Sequence, residues 1–265
     1  MNKTFVMLSG IPRSGSQVLS SMLNQHPLIH ATTTSPLVDL LEVVEREWQH
    51  LSQAMVNRNP AQFSNMTKGL IDGTYAHIDN PVVVDKNRLW PRHGKLMRSV
   101  LGTKPKIIGT VRPIPEVIAS YFRLIEKNSH KVTFIDEGLN ELGMTINTKN
   151  RCKIIWERFV IGPHTSLRMG YNSPDIDLCL VDYDSIVNRS QETMDKICNF
   201  IGIESTTVEL SNMSPMDEND NFHGGIEGLH HVRPVMQRVS PPAEEVIGKD
   251  MAKLYTDMRL DFWNR

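Results

Sequence analysis

The chain predicts a three-layer α/β fold, a central parallel sheet flanked by helices. Three observations carry that expectation. Short apolar runs beginning near Phe5, Pro81, Lys106 and Asp177 read as buried strands. Segments with apolar residues at helical spacing lie between them. The first run, Phe5 to Gly10, opens into a glycine-bounded loop and then into Val18, Leu19, Met22 and Leu23, which recur as one helix face. Strand, tight glycine loop and helix in that order form a phosphate cradle. The loop amides and the positive end of the helix converge on one anion.

Gly10 and Gly15 keep the spacing of a Walker A loop, but Ser16-Gln17 stands where Lys-Ser/Thr should follow. The part of that loop that holds terminal phosphates and magnesium is therefore missing. A cation is present inside the loop, Arg13. The bland alternative at this point is a buried strand turning into a core helix.

The first helix should end near Gln25, because His26 precedes Pro27. Leu28 to Ala31 is a short extended candidate, and Thr32 to Ser35 a turn or cap. From Pro36 to about Met55, Leu37, Leu40, Leu41, Val44, Trp48 and Leu51 keep a helical period, with Asp39, Glu42, Glu45 and Glu47 on the polar sides. Residues 56–80 are polar and broken by prolines, with a second helix around Ala61–His77. The run Pro81 to Lys86 is a buried strand ending in Asp85-Lys86. Parallel sheets bind ligands beyond the carboxyl ends of their strands, so these charges share a rim with the phosphate loop. A helix over His93–Leu101 precedes the strand Lys106–Val111. Arg112-Pro113 then opens a helix with Val117, Ile118, Tyr121, Phe122 and Ile125 inside. Helix resumes from Lys149 to about Gly162. The strand Asp177–Tyr183 leads, at Asp184 or Ser185, to a helix with Met194, Ile197, Cys198 and Ile201 inside, closed by Gly202. Residues 204–242 read as one long loop, and Glu244 to about Trp263 as a closing amphipathic helix. No linker divides residues 1–265, so one domain is expected.

With 265 residues, 40% hydrophobic and 22% charged content, the composition is that of an ordinary globular chain with a sizeable core. A net charge of −1 gives no global attraction to nucleic acid or anionic membranes, so any anion site is local. Neither is expected as a partner. Cys152, Cys179 and Cys198 are widely spaced, which argues against a disulfide framework or structural zinc. No apolar run is long enough for a membrane span, and the first strand starts too early to leave room for a signal peptide. The expected location is cytoplasmic, with a homodimer left open.

Arg13, Lys86 and Arg112 all fall at strand ends on one rim, and Arg233 sits in the late loop. Here the sequence resembles the sulfotransferases that use 3′-phosphoadenosine 5′-phosphosulfate (PAPS). Gly10 to Gln17 is similar to their 5′-phosphosulfate loop, in the Pro-Arg-Ser-Gly form of tyrosylprotein and many bacterial members, and Leu23-Asn-Gln-His26-Pro27 fits that branch. Arg112 with Ser120 resembles the motif that grips the 3′-phosphate. Val181 to Val187 is similar to the family's Tyr-Glu-x-Leu strand end, and His231-Val-Arg233-Pro234 to a late loop closing over the nucleotide.

The resemblance implies a P-loop-containing nucleotide-hydrolase-like fold and transfer of sulfonate from PAPS, releasing PAP, to a hydroxyl or amine of a small molecule, glycan or peptide. It implies that Pro12, Arg13, Ser14, Gly15, Ser16 and Gln17 hold the 5′ end, Arg112 and Ser120 the 3′-phosphate, and that Tyr183 and Arg233 line the nucleotide. Lys86 joins Arg13 at the reacting centre, and no metal is needed. Cations and amides must then neutralise the leaving phosphate. The family's bases are absent here. Thr34 stands where the tyrosylprotein branch has glutamate, and Arg88 where small-molecule enzymes have histidine. Arginine is no base at neutral pH. Asp39 and Glu42 rank first among the replacements, ahead of His30, Asp85, His223, His230 and His231. Two other readings stay open: a nucleotide or small-molecule kinase on the same fold, and a PAPS- or PAP-binding protein without catalysis.

Overall fold

The structure is a computed structural model that describes residues 3–57, 59–211, 213, 226–229 and 241–264. Five strands form one parallel sheet: β1 Thr4–Gly10, β2 Ile29–Ala31, β3 Val82–Lys86, β4 Lys106–Val111 and β5 Asp177–Asp182, in the order β2-β3-β1-β4-β5. The extended candidate Leu28 to Ala31 is thus the edge strand β2. Every β3 side chain is buried, as a strand covered on both faces requires.

Alternation along the strands divides the core. Val6, Leu8, Val82, Val84, Ile108 and Val181 face α1 (Ser16–Leu23) and α11 (Ser190–Ile201). On the other face Phe5, Met7, Val83 and Ile107 meet α2 (Leu37–His50), α4 (Pro60–Thr74) and α5 (Gly94–Leu101). A third cluster gathers Ile11 and Val111 with α6 (Ile114–Lys127), α7 (Phe134–Glu141), α8 (Thr148–Ile154) and α9 (Ile161–Tyr171). The three cysteines are free and buried in these clusters.

Several helices differ from the periodicity. The helix expected over 36–55 breaks at Leu51, whose extended backbone separates α2 from α3 (Ser52–Val56). Apolar spacing runs straight through that break, so period alone misses it. The helix from Lys149 continues to Tyr171 through a π-helical segment, Ile155–Val160, instead of ending near Gly162. That extra residue per turn lets Val160 and Leu167 stay in the core across a shift of phase. Helix α7 has no counterpart in the expected elements, although Thr133 caps it by accepting from the Asp136 amide at 3.4 Å. Between β5 and α11 lies α10 (Tyr183–Asn188), capped by Asp182. The closing helix is two, α12 (Ala243–Ile247) and α13 (Lys249–Asp257), divided at Gly248.

Strand order sets up the functional rim. β1 lies between β3 and β4, with Leu8 in register with Lys86 and Gly10 with Thr110. The loop after β1 is therefore flanked by Lys86 on one side and Arg112 on the other. Val111 is in register with Asp182, which brings Tyr183 to the same rim.

Candidate active site

The loop Ile11–Gly15 is held from beneath. The Ser14 hydroxyl is fully buried, donating to the Ile11 carbonyl at 2.5 Å and lying 2.6 Å from Thr110 Oγ1. Ser14 thus braces the loop from inside. Gly15 takes a left-handed conformation (φ 91°), and a Cβ there would lie 2.9 Å from the Tyr183 ring. The first amides of α1 have no side-chain cap and the first turn has no acid. They are therefore presented to an anion with the helix dipole behind them.

Arg13 is also left-handed (φ 61°), a strained choice for a residue with a Cβ. Three contacts hold it there. Its Nε donates to Ser120 Oγ at 3.1 Å, its Nη1 donates to the Leu229 carbonyl, and its own carbonyl accepts from Arg112 Nη1 at 3.1 Å. The first and last of these link the loop after β1 to Ser120 and Arg112, 107 and 99 residues away. Ser120, which accepts from Arg13, keeps its own proton to donate.

Arg112 is 7% exposed and stacks over the Tyr183 ring, 4.1 Å from its centroid. Glu116, in the first turn of α6, has Oε2 3.4 Å from Arg112 Nη2. Burial pulls the Arg112 pKa down, while Tyr183 and Glu116 push it back, and the guanidinium stays charged at neutral pH. A residue missed in the sequence adds to this group. Arg123 is one turn beyond Ser120 on α6, close enough to Arg112, Glu116 and Tyr183 to share their field. The signal was the i, i+3 spacing from Ser120.

Lys86 alternates with Asp85 at the end of β3, so the two side chains go to opposite faces. Lys86 turns toward α1, where Nζ donates to Gln17 Oε1 and to the Thr33 carbonyl. Lysine can only donate, which fixes the Gln17 amide so that Nε2 points the other way. That Nε2 is buried with no hydrogen-bond partner. Asp85 turns inward, 0% exposed, accepting from Tyr75 Oη and from Trp90 Nε1 at 2.7 Å. Burial raises its pKa, although Ser35, Tyr75 and Trp90 oppose the rise by hydrogen bonding. It is sealed beneath the rim, out of an acceptor's reach.

The other carboxylates lie on α2. Asp39 is exposed and accepts from Asn87 Nδ2 at 2.9 Å, and Asn87 follows Lys86 directly. The same Nδ2 also donates to the Ser35 carbonyl at 2.8 Å. Glu42, one turn on, pairs with His93 Nε2 at 2.8 Å. Asp39 is thus tied to the rim beside Lys86, while Glu42 is tied to the start of α5. His30 sits on the edge strand next to Tyr75, its pKa lowered by burial. Arg233, His223, His230 and His231 lie outside the described residues.

Against this geometry, the model of a sulfotransferase family matches residues 6–207, most of the chain. The chain belongs to the sulfotransferase family. A curated relative, protein-tyrosine sulfotransferase 1 of Danio rerio, is 18% identical over 260 residues, covering 97% of this chain and 68% of that protein. Among solved structures, the sulfotransferase domain from the curacin biosynthetic pathway aligns with a TM-score of 0.55 at 15% identity, covering 98% of each chain. At that identity the likeness shows the fold, and it agrees with the parallel sheet and its flanking helices. Among the described residues, no helix is long and apolar enough to cross a membrane.

Proposed function

We propose that the chain transfers sulfonate from PAPS to a hydroxyl or amine of an acceptor and releases PAP. One observation carries the reading: two cationic sites on one sheet rim are cross-linked, Arg13 Nε to Ser120 Oγ and Arg112 Nη1 to the Arg13 carbonyl. A donor with anionic groups at both its 5′ and 3′ positions needs two such sites held at fixed spacing. The orphaned Gln17 Nε2 and the uncapped first turn of α1 fit the 5′ end, since each offers donors to an anion. Arg13, Gly15, Ser16 and Gln17, on a loop shaped by Pro12 and Ser14, would hold that end. Arg112 and Ser120 would hold the 3′-phosphate, with Tyr183 stacked beneath Arg112 and Arg233 supplied by the late segment.

In the transfer, the acceptor oxygen forms a bond to sulfur as the bond from sulfur to the bridging oxygen breaks. The electron pair leaves on the 5′-phosphate of PAP. Lys86 and Arg13 neutralise that developing charge, the contribution that preorganised cations make in a site shielded from water. The acceptor proton goes to a base, and Asp39, held beside Lys86 through Asn87, is the first choice. Glu42, with His93 behind it, is the second.

The test is transfer of labelled sulfonate from PAPS, with chelator present, to a panel of phenols, alcohols and amines. The Danio rerio relative is named for protein tyrosine, so phenols head the panel. Transfer to at least one member is expected, with Asp39→Asn lowering kcat roughly 100-fold, in line with loss of a general base. PAPS binding without hydrolysis or transfer to any acceptor would leave a PAPS-binding protein instead. Full activity in Asp39→Asn would move the base to Glu42.

A further inference from the structure

We propose that Asn128, on the far end of α6, is a positioning residue for Arg13; the proposal rests on the donor reading above. Asn128 is 0% exposed and lies just past the last turn of α6. Its Oδ1 accepts from the Glu227 amide at 2.9 Å. Its Nδ2 donates to the Glu227 carbonyl at 3.1 Å and to the Leu124 carbonyl at 2.8 Å. One side-chain amide thereby grips both main-chain groups of a residue 99 positions away, as a neighbouring strand would. Ile226, just before it, is fully buried.

The clamped residue sits two positions from the contact with Arg13. Gly228 lies between them in a left-handed conformation, φ 81°, where a Cβ would come within 3.1 Å of Lys127 Nζ. That turn delivers the Leu229 carbonyl to Arg13 Nη1. The Arg13 guanidinium is therefore held at two of its donors, Nε by Ser120 and Nη1 by Leu229, which fixes the plane of its fork. A guanidinium recognises an anion through the plane of its fork, so its aim matters as much as its charge. Asn128 touches no donor atom. It acts through Glu227, Gly228 and Leu229.

The relay is tested by PAP affinity, measured by calorimetry, in a mutant cycle. Asn128→Asp replaces the Nδ2 donor with an acceptor facing two carbonyls. Gly228→Ala perturbs the same relay at a partly exposed position, without touching the buried clamp. Each is expected to weaken PAP about tenfold in the unmodified chain and about twofold or less in the Arg13→Gln background. Effects of equal size in both backgrounds would make Asn128 a fold-stabilising residue only and overturn the proposal. Should a variant fail to fold, hydrogen exchange in the unmodified chain decides: PAP should slow exchange at the Glu227 amide, and no slowing overturns the relay. Failure of the unmodified chain to bind PAP at all would instead overturn the donor reading and the relay with it.

Discussion

Arg112 illustrates what a single residue contributes. It is buried, stacked on Tyr183 and bonded to the Arg13 carbonyl, so its position is fixed before any ligand arrives. A charge-assisted contact of this kind contributes roughly 1.5–3 kcal/mol. Arg112→Ala should therefore weaken PAP by at least about tenfold. Adenosine 5′-phosphosulfate, which has no 3′-phosphate, should lose much less; equal losses for both would contradict the role. At this scale the sequence was informative where a residue's place follows from a strand end. Arg13, Lys86 and Arg112 could be put on one rim from the order of apolar runs alone. What each cation touches was hidden, because the partners come from distant segments: Gln17 and Thr33 for Lys86, Ser120 and Leu229 for Arg13. Asp85 shows the converse. It was read as a rim carboxylate beside Lys86, but the two-residue period of the strand sends it to the opposite face.

That inward turn has a consequence for the elements around it. Asp85 ties Tyr75, at the end of α4, to Trp90, in the segment leading to α5, and so stitches the layer that supports β3. Its pKa is raised in the fold, first by burial. A raised carboxyl pKa contributes stability that is fully present below the ordinary aspartate range and is lost as pH rises through the folded value. Asp85→Asn abolishes this slope. It also leaves one of the two donors without an acceptor, at about 1–3 kcal/mol. Urea unfolding of both proteins between about pH 4 and pH 7 should show the unmodified chain's advantage shrinking as pH rises. An advantage that grows with pH would reverse the assignment. Element boundaries were legible in proportion to local signals. Gly202 at the end of α11 coincides with a real end, whereas the break at Leu51 and the π-helical turn arise from packing and leave no mark in the apolar period.

Across the whole molecule, the fold works as a frame that sets the distance between the two proposed anion sites. β1 between β3 and β4 places the loop between Lys86 and Arg112, and the bond from Arg13 to Ser120 closes the frame. The two sites should then be energetically coupled. Arg13→Gln and Ser120→Ala, singly and together, should give PAP-binding effects that fall short of additivity by roughly 0.5–3 kcal/mol; additivity within about 0.5 kcal/mol would mean independent sites. The fold class and the shared rim were readable because parallel strands have apolar interiors and a common exit edge, whereas the bond that closes the frame was not. The base was not, since the family's positions hold Thr34 and Arg88, and the carboxylates proposed in their place stand on α2, where exposed acids look alike in sequence. The most direct test of the central claim is calorimetry of PAP and of ATP with the unmodified chain in chelator. Micromolar or tighter PAP binding without magnesium, and much weaker ATP binding, is the predicted result. ATP binding with no PAP binding would contradict it.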